Sequence, residues 1–266
     1  MAQPGRPVIF VHGLWLHASS WGPWEEFFQE AGYVPSSPGW PGDGDTVEET
    51  RQNPGQVAGK GIDDVVSHYA EIIRGLPSPP VVIGHSFGGL IAQRLLGQDL
   101  AAAAVAVDPA PIKGVLALPF SALKVASIAL RKPANRNLAI SLTAEQFRYG
   151  FGNAIPEQES AELYERWNVP SPGKPLFEAG LANFTPKSPA QVNTGNKTRG
   201  PLLITAGGKD HTVPAAISTS TRKQYHKSPA VTDLIEFPDR GHSLTIDHGW
   251  REVAQAALDW LKERSI

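Results

Sequence analysis

Apolar residues fall into short runs separated by longer stretches of helical spacing, and that alternation sets the first expectations. Val8-Ile9-Phe10-Val11, closed by His12-Gly13, is a β-branched and aromatic run bounded by a turn, which predicts a buried strand. Residues 80–84, Pro-Val-Val-Ile-Gly, predict the clearest strand; 102–107, 202–206 and 233–237 predict three more. A weaker strand falls around Tyr33-Val34, ahead of the turn-rich Pro38-Gly39-Trp40-Pro41-Gly42-Asp43-Gly44. Between these runs the period changes. Ile62, Val65, Val66, Tyr69, Ile72 and Ile73 recur at helical intervals, and 90–96 predicts a helix stopped at Gly97. Val253, Ala256, Ala257, Trp260 and Leu261 mark one face of a helix over about 248–264. Ser19 or Ser20 can cap an earlier helix, with Pro23 in its first turn, Glu25 and Glu26 near its N-terminus and an end near Gly32.

Strands alternating with helices predict an α/β fold with a mostly parallel central sheet flanked by helices. The alternation stops between Ile112 and Gly200, where a Pro-punctuated stretch predicts helices over 120–130, 144–149, 157–167 and 176–183. The expected division is therefore a core of residues 1–111 and 201–266. Residues 112–200 form a helical cap insertion over the sheet's C-terminal edge.

Composition narrows the function. The hydrophobic share of 41% and charged share of 19% are those of a globular protein. A formal charge of −2 offers no field to attract nucleic acid or an anionic membrane. With no cysteine there is no disulfide, thiol nucleophile or Cys-based metal site. Met1 to Pro7 lacks the apolar region of a signal peptide, and the longest nearly apolar run, 115–130, is broken by Lys124. That run is shorter than the roughly 20 residues of a membrane span. A soluble, cytoplasmic protein with a small-molecule substrate is expected, with no cofactor, no metal and no nucleic-acid partner.

Candidate chemistry lies where predicted strands end. Gly84-His85-Ser86-Phe87-Gly88 joins a strand to an apolar helix and fits the G-x-S-x-G elbow, a strained turn that exposes a serine at a helix N-terminus. A serine hydroxyl needs a base. His242, in Asp239-Arg240-Gly241-His242-Ser243 between the last strand and the last helix, is the candidate among eight histidines. His68 falls in a helix, His85 within the elbow, and His226 and His248 on the expected surface; a structural role is expected for His12. Two carboxylates, Asp210 and Asp108, each follow a strand and lie between Ser86 and His242 in chain order, and the loop context favours Asp210. An oxyanion hole needs two inward amides. Phe87 follows the serine, and Leu14 lies on the loop freed by Gly13. Trp15, Trp40, Phe120 and Phe147 are candidate pocket walls, together with the run 115–120, Tyr149 and Phe151; the alternative is that these residues are the insertion's own core.

These segments together resemble the α/β-hydrolase superfamily: the early His-Gly, the Gly-His-Ser-Phe-Gly-Gly elbow, the Asp-containing loop and the late Gly-His. More closely the chain resembles small bacterial esterases and cofactor-free haloperoxidase-like hydrolases, which carry a helical cap. The resemblance implies Ser86 as nucleophile, Asp210 as acid, His242 as base, and the Leu14 and Phe87 amides as oxyanion hole. Many members have a hairpin before the His-Gly strand, whereas seven residues precede Val8 here, so a sheet of about six strands is expected. Ser86 argues against the dehalogenases and epoxide hydrolases of the superfamily, which use Asp at the elbow. The expected activity is cleavage of a carboxylic ester or lactone, apolar or aromatic by preference, with thioesters and amides open. A non-catalytic ligand receptor on the same scaffold, or a hydroxynitrile-lyase-like enzyme, is the alternative.

Overall fold

The structure, a computed structural model, describes residues 5–266. Its elements in chain order are β1 (Pro7–Val11), α1 (Gly22–Glu30), β2 (Val34–Ser36), α2 (Val47–Gln52), α3 (Ile62–Arg74), β3 (Val81–His85), α4 (Phe87–Leu96) and β4 (Ala103–Val107). Next come α5 (Phe120–Leu130), β5 (Ala139–Ile140), α6 (Ala144–Gly150), α7 (Glu157–Trp167), β6 (Ser171–Pro172) and α8 (Lys174–Gly180). The chain ends with β7 (Leu202–Gly207), α9 (Ala215–Lys223), β8 (Thr232–Phe237) and α10 (Trp250–Lys262).

Six strands form one parallel sheet in the order β2-β1-β3-β4-β7-β8, so each strand ends at the same edge as its neighbours. Strand period places alternate residues on opposite faces. In β1, Val8 and Phe10 pack with Trp21, Trp24 and Phe28 of the α1 region and with Val253, Ala257 and Leu261 of α10. Ile9 and Val11 face the other way, toward Ile62, Val65 and Tyr69 of α3 and Leu90 and Ile91 of α4. Both sheet faces are thus covered, as continuous apolar strands require. Among the described residues, no helix is long and apolar enough to cross a membrane.

One local expectation is corrected. Neither Ser19 nor Ser20 caps α1; both lie in a 3₁₀ turn, Ala18–Trp21, whose cap is the His17 ring, accepting from Ser19 N. A ring nitrogen reaches that amide as well as a hydroxyl would, and a propensity for Ser or Asn does not anticipate it.

Between β4 and β7 the chain leaves the sheet, and α5 to α8 and the small β5–β6 pair follow. This stretch is fastened to the loop after β1. Trp15 N donates to Ser171 Oγ at 2.6 Å, Trp15 Nε1 to Ile140 O at 3.0 Å, and Val169 N to Trp15 O at 3.1 Å. His17 N also donates to Trp167 O at 3.1 Å.

Candidate active site

Sheet register determines what meets at the C-terminal edge. Gly84 lies level with Val11 and Ala106, His85 with Val107, and Val107 with Thr205. The residues that follow these strands, Gly13, Ser86, Asp108 and Asp210, therefore leave one edge together, and His242 follows β8.

Ser86 sits at φ 56° and ψ −120° between β3 and α4, outside the regions open to an ordinary L-residue. Such a backbone costs of order 1–3 kcal/mol and persists only where its surroundings enforce it. Ser86 N donates to Val107 O at 2.9 Å, while Ser86 O accepts from Gly89, Leu90 and Ala110 N. Close approach does the rest: a β-carbon on Gly88 would collide with the Val11 carbonyl, so only glycine lets the elbow press against β1.

The loop after β1 crosses this turn. A β-carbon on Gly13 would lie 2.7 Å from Ser86 Cβ and 3.4 Å from its Oγ. Trp15, at φ 68°, turns the loop inward and spends its own amide on Ser171. Leu14 N has no partner among the described residues, and Phe87 N is a first-turn donor of α4 that the helix cannot satisfy. His12 braces the loop. Its Nδ1 donates to Gly13 O at 2.9 Å, and its Nε2 lies 3.0 Å from Asp43 Oδ2 and 3.2 Å from Trp40 N. Asp43 is a brace that sequence reasoning missed; the turn-rich stretch around it was the available signal.

His242 is fully buried, and its Nδ1 lies 2.6 Å from Asp210 Oδ2. The other oxygen, Asp210 Oδ1, accepts from Thr212 N at 2.6 Å and Val213 N at 2.8 Å, which fixes the carboxylate's direction. The acid and histidine loops are tied by Gly208 N to Phe237 O and Lys209 N to Arg240 O, each 2.9 Å. His242 Nε2 is buried without a hydrogen-bond partner, and no bond joins it to Ser86. The Phe151 ring stands edge-on to His242 at 4.8 Å, and the His85 ring lies 4.5 Å away.

Asp108 reaches the same spot. Its Oδ2 accepts from Gly207 N at 3.0 Å and its Oδ1 from Thr205 Oγ1 at 3.2 Å, and one of its oxygens lies within 4.8 Å of an Asp210 carboxylate oxygen. Burial, then the Asp210 charge, pushes the Asp108 carboxyl well above the usual carboxylate range. Burial raises Asp210 to about 6, opposed by the neighbouring Asp108 carboxyl and the Val213 and Thr212 amides. His242 is lowered to about 4 by burial. Burial thus favours the neutral form of each of the three groups. Asp108, Asp210 and His242 each offer a ligand atom within 4.8 Å of the others, a spacing that a metal could bridge. The carboxylate oxygens are already committed to Thr205, Gly207, Thr212, Val213 and His242.

The expected pocket walls separate. Phe147 is buried and stacks on Phe151 with centroids 4.9 Å apart, behind His242. Trp15 is buried, its ring edge toward Phe151. Trp40 is buried with Nε1 donating to His12 O, and it borders a groove of about 660 Å³ that Ser86 does not line. Phe120 is 81% exposed and walls nothing: it opens α5 on a solvent face, where only Val125 and Ala129 of that helix are buried. A second cavity, of about 490 Å³ between α6 and α7, also lies away from Ser86, Asp210 and His242. Ser86 itself is 4% exposed.

Comparison with known proteins fits this architecture. The family model described as "Alpha/beta hydrolase family" matches residues 8–256. The chain belongs to that family. No curated protein is significantly similar in sequence. Among solved structures, the monoacylglycerol lipase of Paleococcus ferrophilus is 21% identical, with 97% of this chain and 95% of that one covered and a TM-score of 0.67. A pyrethroid hydrolase of Sphingobium faniae is 16% identical over 97% of each chain, TM-score 0.67. An extracellular α/β-hydrolase from a Paenibacillus species is 18% identical over 96% of this chain and 98% of that one, TM-score 0.68. At these identities the likeness is one of fold.

Proposed function

We propose that this chain is a serine hydrolase that cleaves a carboxylic ester or lactone through an acyl-enzyme on Ser86. The observation that carries the reading is the state of His242. Its Nδ1 is tied to a buried carboxylate while its Nε2 stands unpartnered at the edge where Ser86 occupies a strained turn. A proton held on Nδ1 leaves a lone pair on Nε2, the nitrogen a general base uses.

The steps follow. His242 Nε2 takes the Ser86 Oγ proton as Oγ attacks the carbonyl carbon, and the carbonyl electron pair moves onto oxygen. That oxyanion faces the Leu14 and Phe87 amides. Its collapse expels the alkoxide, which takes the proton from His242 and leaves an acyl-enzyme. Water, deprotonated by His242, then attacks the acyl carbon; the second collapse frees the carboxylic acid and restores the Ser86 hydroxyl. A hydrogen bond from Ser86 to His242 is not needed in the free enzyme, since such contacts tighten on substrate binding.

The same reading treats residues 112–200 as a cap over a core of 1–111 and 201–266. Phe147 and Phe151 stand on the cap side of His242, which supports an apolar or aromatic substrate. With Ser86 nearly inaccessible, substrate entry requires the cap to shift. Hydrolysis of p-nitrophenyl acetate, butyrate and octanoate by wild type and Ser86→Ala tests the activity. Turnover by the wild type alone is expected. Its absence with all three esters, and with a panel of natural esters and lactones, would favour a binding protein on this scaffold.

A further inference from the structure

The segment between β4 and β7 presents a surface that the proposed reaction does not use. Leu116, Leu118 and Phe120 are 75%, 72% and 81% exposed, and Phe184 is 84% exposed; Leu123 and Leu181 are about half exposed. The two segments that carry them lie side by side. Gly114 N donates to Asn183 Oδ1 at 2.7 Å, Asn183 Nδ2 to Val115 O at 2.8 Å, and Lys113 Nζ to Thr185 O at 2.8 Å and Pro186 O at 2.7 Å. Helix α5 packs on α8 beside them. Single exposed apolar residues are ordinary, whereas a cluster of six large ones marks a docking surface.

Charge on this stretch has one sign. Between Asp108 and Glu145 lie Lys113, Lys124, Arg131, Lys132 and Arg136 and no acid, although the chain has 26 acidic residues. Between Glu178 and Asp210 there is again no acid, and Lys187 is exposed. The flanking Glu178 turns its carboxylate to Ile62 N at 2.8 Å. Lys124, Arg131, Lys132, Arg136 and Lys187 form no ion pair among the described residues. The formal charge of −2 therefore conceals a stretch of chain that carries basic and no acidic residues.

We propose that this face docks on an anionic lipid surface. Its leucines and phenylalanines enter the boundary between headgroups and acyl chains, and the basic side chains around them meet the lipid phosphates. Lys124 Nζ lies 3.7 Å over the Tyr149 ring, while Arg131, Lys132 and Lys187 are exposed without an ion pair among the described residues. Exposed apolar residues on a stretch with such charges suit an interface that is anionic above and hydrocarbon below. A second copy of this chain fits poorly. Two-fold packing would set the same basic residues against one another, with Glu178 the one acid of α8 beside them and already turned to Ile62 N. The docking is peripheral, since no described helix can span.

The test is co-sedimentation of the full chain with phosphatidylcholine vesicles, with and without phosphatidylserine, at low and high salt. Wild type should bind the serine-containing vesicles, bind neutral ones far more weakly, and be released by salt. Leu116→Ser/Phe120→Ser/Phe184→Ser should weaken binding at least about a hundredfold. Arg131→Gln/Lys132→Gln should cost about five-fold per charge on anionic vesicles and nothing on neutral ones. Circular dichroism checks that both variants fold, and the substituted side chains are exposed. Failure of the wild type to bind anionic vesicles overturns the proposal, as does equal binding by the triple variant. A concentration-dependent dimer that the triple variant abolishes, without vesicle binding, would make the face a self-association surface and also overturn it.

Discussion

Asp108 and Asp210 leave the ends of neighbouring strands β4 and β7 and meet in a buried spot, each with a carboxylate oxygen within 4.8 Å of the other and of a His242 ring nitrogen. Only Asp210 also touches the imidazole, at 2.6 Å from His242 Nδ1. Asp210→Asn replaces the charge with an amide that favours the wrong imidazole tautomer, and kcat should fall by about 10⁴-fold. Asp108→Asn replaces a carboxyl whose neutral form burial favours with an amide that can still accept from Gly207 N. Its cost should be nearer 10-fold, through altered packing of the loop. The two variants are compared in the same esterase assay after circular dichroism; a larger loss in Asp108→Asn would reassign the acid to β4.

The same pair makes an opposite prediction for stability. Burial and the Asp210 charge push the Asp108 carboxyl well above its unfolded range, so above about pH 4 folding favours uptake of a proton. Asp108→Asn removes that uptake. Its denaturation midpoint should exceed that of wild type at pH 8, and the gain should vanish near pH 3, where both states of the wild type are protonated. Urea titrations at the two pH values measure this; a variant less stable at pH 8 would mean that Asp108 is ionised in the fold.

Activity should also carry an acid limb. At pH 8 the set has Asp210 ionised and His242 neutral, with burial holding Asp210 at about 6 and His242 at about 4. Acidification through about pH 6 adds a proton to the cluster, after which Asp210 no longer draws the Nδ1 proton. The rate should therefore fall below an apparent midpoint near 6 that belongs to the cluster as a whole. A profile of kcat from pH 4.5 to 9, with chemistry rate-limiting, checks it, and a flat profile counts against His242 as the base.

Much of the fold was legible in the chain because its signals are local. The β-branched runs at 8–11, 80–84 and 102–107 became β1, β3 and β4 within a residue or so, and α5 and α7 span the stretches expected of them. The meeting of Ser86, Asp210 and His242 at one edge could be anticipated because each stands next to a strand end. What stayed hidden is direction. Leu116, Leu118 and Phe120 read as core or pocket because they are apolar, yet they face solvent. Nothing in local spacing says which side of α5 meets α8. Likewise Asp108 and Asp210 satisfy the same chain order, and only the carboxylate-to-imidazole geometry separates them. The His17 cap and the His12–Asp43 brace join side chains through turns whose path no period encodes.

Gly13 gives a test of the loop over the nucleophile. Its β-carbon would lie 2.7 Å from Ser86 Cβ and 3.0 Å from His85 O, so Gly13→Ala must push the 13–15 loop away from Ser86. The Leu14 amide moves with it. Loss of one oxyanion donor costs about 10²–10³-fold in kcat, and a loss of that size is expected with KM much less affected. Steady-state kinetics on p-nitrophenyl butyrate provide the check; a shift confined to KM would place the loop in substrate binding alone.

The central claim is covalent chemistry at Ser86, and trapping the serine tests it most directly. A fluorophosphonate transfers its phosphonyl group to an activated serine oxygen with loss of fluoride, as an acyl group would transfer with loss of alkoxide. Intact-mass analysis of the treated wild type should show one adduct, peptide mapping should place it on Ser86, and esterase activity should disappear in step with labelling. Ser86→Ala should neither label nor turn over, and Asp210→Asn should label far more slowly. Labelling at another residue, or an unlabelled protein that hydrolyses esters at the wild-type rate when Ser86 is alanine, would contradict the account.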